Sequence, residues 1–461
     1  MNSAPRIAIV GHTNTGKTSL MRTLMRDAGF GQVSSQPSTT RHVEGASLLV
    51  DGEVLVELYD TPGLEDPIAL LELLNEVRDA DGTCADPVGA VESFLTSPAA
   101  AGCFEQEAKV LRQMLTSDAA FYVVDVRDPV LAKHRDELAI LGHCGIPLLP
   151  VLNFVSDPAA DESAWREALA RLGLHAMVRF DTVAPERDGE RRLYQTLGML
   201  LDGHRERLER LVVTREREAS ARRAAALRMV AELVVDVAAA RVVVPAGDDV
   251  QLRRAVSGLY ERVRAREQVC VDALLALYRF RPDDVDAARL PLLDGRWESD
   301  LFSPETLRNV GGRLGSGAAA GAAAGVGIDL MFGGLTLGAA AALGALAGGG
   351  WQAARTLGGR LLGRLRGHHE LSVDDLILRV LRVRQLHLVQ AFEGRGHAAF
   401  APVTVPAESD SGHDGGVFGA LVARARSHVE WSRLSAPFEP DEGRQGLVDE
   451  IATLLDGALR S

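Results

Sequence analysis

Gly11-His12-Thr13-Asn14-Thr15-Gly16-Lys17-Thr18 has the spacing GxxxxGK[ST]. It follows a short apolar run, Arg6–Val10, and opens a helical pattern from Lys17 to Arg26. Glycines at both ends let the backbone curl until successive N–H groups point at one place. The helix N-terminus adds partial positive charge there. Such a loop cradles phosphates. Gly11, Asn14, Thr15, Gly16 and Ser19 form the expected cradle. Lys17 is expected to reach the β- and γ-phosphates, and the Thr18 hydroxyl to bind Mg²⁺. A chance glycine turn is the alternative, and the flanking strand and helix patterns argue against it.

Asp60-Thr61-Pro62-Gly63 follows a strand pattern. Downstream of a phosphate loop, Asp60 can hold Mg²⁺ through water and the Gly63 amide can sense a γ-phosphate. The segment beyond then orders with triphosphate and relaxes after hydrolysis. Pro37-Ser38-Thr39-Thr40-Arg41 lies between the first helix and the next strand pair, where an effector loop must cross the phosphates. Thr40, favoured over Thr39, completes the Mg²⁺ shell in this reading. A plain Ser/Thr loop is the alternative.

These residues need a scaffold that brings them together. Ser47–Val50 and Val54–Tyr59 flank Asp51-Gly52, a two-residue hairpin signal. Ala119–Val126, Pro147–Leu152 and the weaker Ala176–Asp181 read as further strands, with helical patterns at Pro129–Leu141 and Ala164–Leu172. Alternation of this kind predicts an α/β fold: a mostly parallel sheet, helices on both faces and one antiparallel edge hairpin. Asp81–Gly102 reads as an insertion beside the switch, either a partner contact or a tolerated surface loop. Beyond about residue 204 the pattern becomes helical. The expected divisions are 1–203, a helical region 204–310, a Gly/Ala-rich hairpin 311–367, and a helical region 368–461 with a loop at 401–416.

The three motifs together resemble the bacterial Era/TrmE/EngA branch of P-loop GTPases, over roughly residues 5–185. The resemblance implies a Ras-like domain, Mg²⁺-dependent GTP hydrolysis and a nucleotide-driven switch. It also implies that Asn14 helps bind a K⁺ ion acting like an arginine finger. Leu64 stands where Ras-type proteins carry a catalytic glutamine, so slow intrinsic turnover is expected. Guanine specificity in such proteins comes from NKxD, whereas this chain has Asn153-Phe154-Val155-Ser156-Asp157. Asn153 can bond the base edge and Phe154 can lie on the base plane. Asp157 can accept from guanine N1 and N2 only if the loop bulges. Asp181-Thr182-Val183 would supply a backbone N–H at most. Asp128 to Phe154 resembles a group of proteobacterial GTPases that end in an uncharacterised C-terminal domain.

The 461 residues include 46% apolar and 25% charged types, values that exclude a mainly disordered chain. A net charge of −13 argues against coating nucleic acid through bulk charge. Lys17, Lys109 and Lys133 are the only lysines. Cys84, Cys103, Cys144 and Cys270 form no CxxC pair and read as free thiols. The N-terminus shows no secretory pattern, so a cytoplasmic protein is expected. Leu314–Ile328 and Leu330–Trp351 are low-charge stretches joined at Asp329, with glycines four apart and arginines on both flanks. They suit either a hairpin at the inner membrane or a tightly packed helical hairpin.

The leading expectation is a GTP-hydrolysing switch with GTP and GDP as ligands and an unknown protein effector. RNA or ribosome binding follows only from family analogy. The alternatives are a membrane-associated assembly protein, in contact with the inner-membrane surface or a membrane protein, and an ATPase.

Overall fold

β1 (Arg6–Val10) carries four consecutive buried residues and runs straight into the phosphate loop and α1 (Lys17–Met25). The hairpin β2 (Glu44–Val50) and β3 (Glu53–Asp60) follows. Three helices then precede the next strand: α2 (Pro67–Ala80), α3 (Pro87–Thr96) and α4 (Glu105–Leu115). β4 (Ala119–Asp125), α5 (Ala132–Gly142), β5 (Leu148–Asn153), α6 (Glu162–Arg171), β6 (Val178–Arg179), α7 (Gly189–Leu200) and α8 (Arg205–Ala239) complete the series. This computed structural model describes residues 3–26, 43–80, 86–183, 186, 188–245, 248–279, 292–293, 296–297, 300–302, 328–332, 335–336, 368–393 and 414–460.

The strands form one sheet of order β2-β3-β1-β4-β5-β6. Only β2–β3 is antiparallel; the other pairs are parallel. β1 and β4 are apolar on both faces, as central parallel strands must be. One face packs Ile7, Ile9 and Phe121 against Leu20, Leu24 and Tyr194. The other packs Ala8, Val10 and Tyr122 with Leu64, Phe94 and Leu111. Phe94 belongs to the stretch read as either a partner contact or a tolerated surface loop. The surface-loop alternative is corrected where the stretch is described: α3 places Ala90, Val91 and Phe94 in the core, because its apolar residues recur at helical spacing.

The described chain divides near residue 219 into two compact units. The second contains β7 (Arg241–Pro245), α9 (Asp249–Tyr278), the short pair β8 (Leu292–Leu293) and β9 (Arg296–Trp297), and the strands β10 (Ile328–Phe332), β11 (Leu335–Thr336) and β12 (His368–Val373). It ends with α10 (Asp375–Glu393), α11 (Asp414–Arg426) and α12 (Glu442–Arg460). A four-stranded antiparallel sheet of order β11-β10-β12-β7 joins these helices. In the region 368–461, expected to be helical, the first helix starts only at Asp375, since Leu371 and Ser372 pair with both β10 and β7.

Within the Gly/Ala-rich stretch, the described residues are strands and not a helical hairpin. Asp329, expected at the junction of two helices, pairs with Ser372. The flanking Ile328 and Leu330–Phe332 form a run of bulky apolar residues, suited to a strand. The rest of the stretch lies outside the described residues. Among the described residues, no helix is long and apolar enough to cross a membrane.

Candidate functional site

The phosphate loop leaves the C-terminal end of β1 at Gly11, whose φ is 141°. A Cβ there would lie 2.5 Å from the Val123 carbonyl oxygen of β4, so only glycine fits. Asn14 (φ 66°) and Gly16 (φ 93°) turn the chain back into α1. Thr15 Oγ1 donates to the His12 carbonyl at 2.9 Å. Lys17 is buried, and its Nζ donates to the carbonyls of Gly11 (2.9 Å) and His12 (2.8 Å). Burial lowers its pKa, while the carboxylates of Asp60 and Glu137 favour its charged form. Ser19 is buried two residues on, its carbonyl accepting from Thr23 Oγ1 at 2.9 Å.

β1 and β3 are neighbours, so the ends of both reach the same place. Thr18 Oγ1 donates to Asp60 Oδ2 at 2.5 Å. Burial pushes the Asp60 carboxyl up to about 6; Thr18 and Lys17 oppose this and Glu44 adds to it. Asp60 Oδ1 is buried with no hydrogen-bond partner among the described residues. A hydroxyl beside a buried carboxylate with an uncommitted oxygen is a hard-oxygen donor set, which fits Mg²⁺. Gly63 lies directly against the phosphate loop. A Cβ on it would be 2.6 Å from Thr13 Oγ1 and 2.9 Å from Thr13 N. The structure therefore brings Lys17, Thr18, Asp60 and Gly63 together. Thr40 and the rest of the expected effector loop lie outside the described residues.

A second group of charged residues beside the loop escaped the sequence reading. His12 Nδ1 is 2.6 Å from Glu137 Oε1, and His12 Nε2 is 2.7 Å from Lys133 Nζ. An ammonium can only donate, so Nε2 accepts and Nδ1–H donates to Glu137. Glu137 is fully buried, and its Oε2 accepts from Tyr122 OH at 2.9 Å. The ring of the loop's second residue is thus pinned to α5. Lys133 and Glu137 stand four apart on that helix, which was the available signal in so lysine-poor a chain.

At the other end of the loop, Asn153 is fully buried at the end of β5. Its Nδ2 donates to the Thr15 carbonyl at 2.9 Å. Its Oδ1 accepts from Phe154 N (2.9 Å), Thr182 N (2.9 Å) and Thr182 Oγ1 (3.1 Å). Asn153 therefore ties three loops together. Asn153→Ala should lower stability by about 3 kcal/mol, because it orphans several buried partners at once. Thermal unfolding checks this, and an unchanged midpoint would contradict the bracing role.

Phe154 has φ 61°, and the Arg127 guanidinium lies 3.8 Å from its ring centroid. Arg127 is held in turn by Asp125 at 2.9 and 2.7 Å. Asp157 Oδ1 accepts from Ala159 N at 2.9 Å, closing a turn of its own loop. The stretch 181–183 braces the loops around Asn153. Asp181 is buried and accepts from Ser156 N (3.0 Å) and Val183 N (2.9 Å), and Thr182 engages Asn153 through its hydroxyl.

Residues 6–154 match the family described as 50S ribosome-binding GTPase, and residues 166–453 match the domain of unknown function DUF3482. Over 76 residues the chain is 38% identical to the probable GTP-binding protein EngB of Wolbachia sp. subsp. Drosophila simulans (strain wRi), covering 16% of this chain and 39% of that protein. EngB of Wolbachia pipientis wMel matches with the same values, 38% over 76 residues. The chain thus spans less than half the length of these curated relatives. Among solved structures, Aquifex aeolicus Era bound to GDP·AlF4⁻ is similar with 16% identity and a TM-score of 0.32, covering 43% of this chain and 57% of that one. Era in complex with MgGDPNP and a segment of 16S ribosomal RNA gives 14% identity, a TM-score of 0.31 and the same coverage, 43% and 57%.

Proposed function

The chain belongs to the family of the domain of unknown function DUF3482, and we propose that its N-terminal unit binds GTP and hydrolyses it to GDP and phosphate, as a nucleotide-dependent switch. The observation that carries this reading is the convergence of Lys17, the Thr18–Asp60 pair and the Gly63 backbone on one phosphate loop. The match of residues 6–154 to a GTPase family supports guanine as the base.

Each residue has a definable task. The loop amides between Gly11 and Thr18 bind phosphate oxygens, and Lys17 moves its ammonium from two loop carbonyls to the β- and γ-phosphates. Thr18 and Asp60, joined by Thr40, would hold Mg²⁺, which when bound neutralises charge on the β- and γ-phosphates. Gly63 N–H reports the γ-phosphate. Asn14, exposed on the loop, would hold K⁺. Asn153 and Asp157 would meet the base edge, with Phe154 on its plane. Leu64 is buried in the core and offers no side chain to orient water. Intrinsic turnover should therefore be slow, on the order of 10⁻³ per second.

Displacement of fluorescent GDP, with hydrolysis measured in K⁺ and in Na⁺, tests this reading. GTP should displace the probe far better than ATP, and K⁺ should speed hydrolysis. Stronger displacement by ATP would overturn the guanine assignment. Equal rates in the two salts would remove the ion role from Asn14.

A further inference from the structure

Building on the GTP reading above, we infer that Glu107 is a positioning residue that fixes the Gly63 amide against the phosphate loop. Glu107 sits in the first turn of α4 and is buried. A carboxylate at that depth must find donors. Its Oε1 accepts from Glu65 N at 2.9 Å and Asp66 N at 3.0 Å. These amides come two and three residues after Gly63, at the entry to α2.

Other bonds make this a defined mount. Asp66 Oδ1 accepts from Ala69 N at 3.0 Å and so caps α2. Upstream, Thr61 Oγ1 donates to the Ile9 carbonyl at 2.8 Å. Leu64 is anchored in the core. Between these fixed points Gly63 has one place to be, and that place is against Thr13. The bonds of Glu107 go to the backbone of residues 65 and 66, so it acts on Gly63 through that segment. The position of the γ-phosphate sensor then becomes a property of α4, the helix that leads into β4. A mere cap for α2 would leave nucleotide preference untouched, which makes the two roles separable.

Calorimetry of the full chain with GDP and with a non-hydrolysable GTP analogue tests this, using wild type, Glu107→Gln and Glu107→Ala, with hydrogen exchange at residues 64–70. Glu107→Ala should lose about tenfold in analogue affinity, the scale of a hydrogen bond to a charged group, while GDP affinity stays within twofold. Glu107→Gln, whose amide oxygen accepts the same bonds without charge, should fall between and serves alone if the alanine variant does not fold. Equal losses for both nucleotides would overturn the inference, as would unchanged affinities alongside faster exchange at residues 65 and 66. Wild-type protein that binds neither nucleotide would overturn the GTP reading itself, and this inference with it.

Discussion

Lys17→Ala is expected to weaken binding of a GTP analogue by about 10²–10³-fold. The ammonium is buried and already directed into the loop by two carbonyl acceptors at 2.9 and 2.8 Å. Burial lowers its pKa, and the carboxylates of Asp60 and Glu137 oppose that effect. Charge-assisted hydrogen bonds contribute about 1.5–3 kcal/mol each, so losing two to the phosphates removes about 3–6 kcal/mol, reduced to about 10²–10³-fold in affinity because the ammonium gives up two carbonyl bonds to make them. The same substitution removes a donor from the Gly11 carbonyl and one of two donors from the His12 carbonyl, which keeps Thr15 Oγ1, so a small loss of stability accompanies it. Titration calorimetry separates the two effects. An affinity within threefold of wild type, in folded protein, would mean that Lys17 does not meet the phosphates.

The phosphate loop is legible because everything it needs is contiguous. Positive φ at Gly11 and Gly16 and the helix start at Lys17 are properties of one eight-residue stretch. The Thr18–Asp60 pair is also legible, although 42 residues separate its members. Each follows a strand with a clear apolar pattern, and parallel neighbours deliver their C-terminal ends to one edge. Glu137 and Glu107 are different. Each has partners far away in sequence, 125 residues for Glu137 and about 40 for Glu107. The spacing of Lys133 and Glu137 was the one local signal, and nothing local distinguishes Glu107 from a solvated helix glutamate. Burial makes them what they are, and burial depends on how α4 and α5 settle on the sheet. The base end shows the same limit. Asn153 was recognisable and Thr182 was named as a backbone N–H source, but the bonds between the two were not legible, because β6 is only two residues long. In the second unit, β7 and β12 pair across more than a hundred residues, so helical periodicity on either side concealed the sheet.

Asp236→Ala should cost the second unit about 3–5 kcal/mol, far more than any exposed ion pair there. Asp236 is fully buried near the end of α8. Its Oδ2 accepts from Arg266 Nε of α9 at 2.8 Å, and its Oδ1 from Arg444 Nη2 of α12 at 2.9 Å. Arg433 N adds a third bond at 3.3 Å. Arg444 is itself buried, its Nε donating to the Trp431 carbonyl at 2.9 Å. Removing the carboxylate strands a guanidinium that water cannot reach, and an uncompensated buried charge costs that much. Arg424–Glu450 offers the contrast. It has two bonds of 2.9 Å between half-exposed side chains, where solvent screens the charges, so its loss should cost at most about 1 kcal/mol. At roughly 2–4 °C per kcal/mol for a unit of this size, Asp236→Ala should lower the melting midpoint by about 10 °C and Glu450→Ala by about 2 °C. Adding Arg444→Met to Asp236→Ala should restore part of the loss, because the stranded charge goes with it. Equal midpoints for the two single variants would show that water reaches Asp236 and that the three segments it joins are held by apolar packing alone.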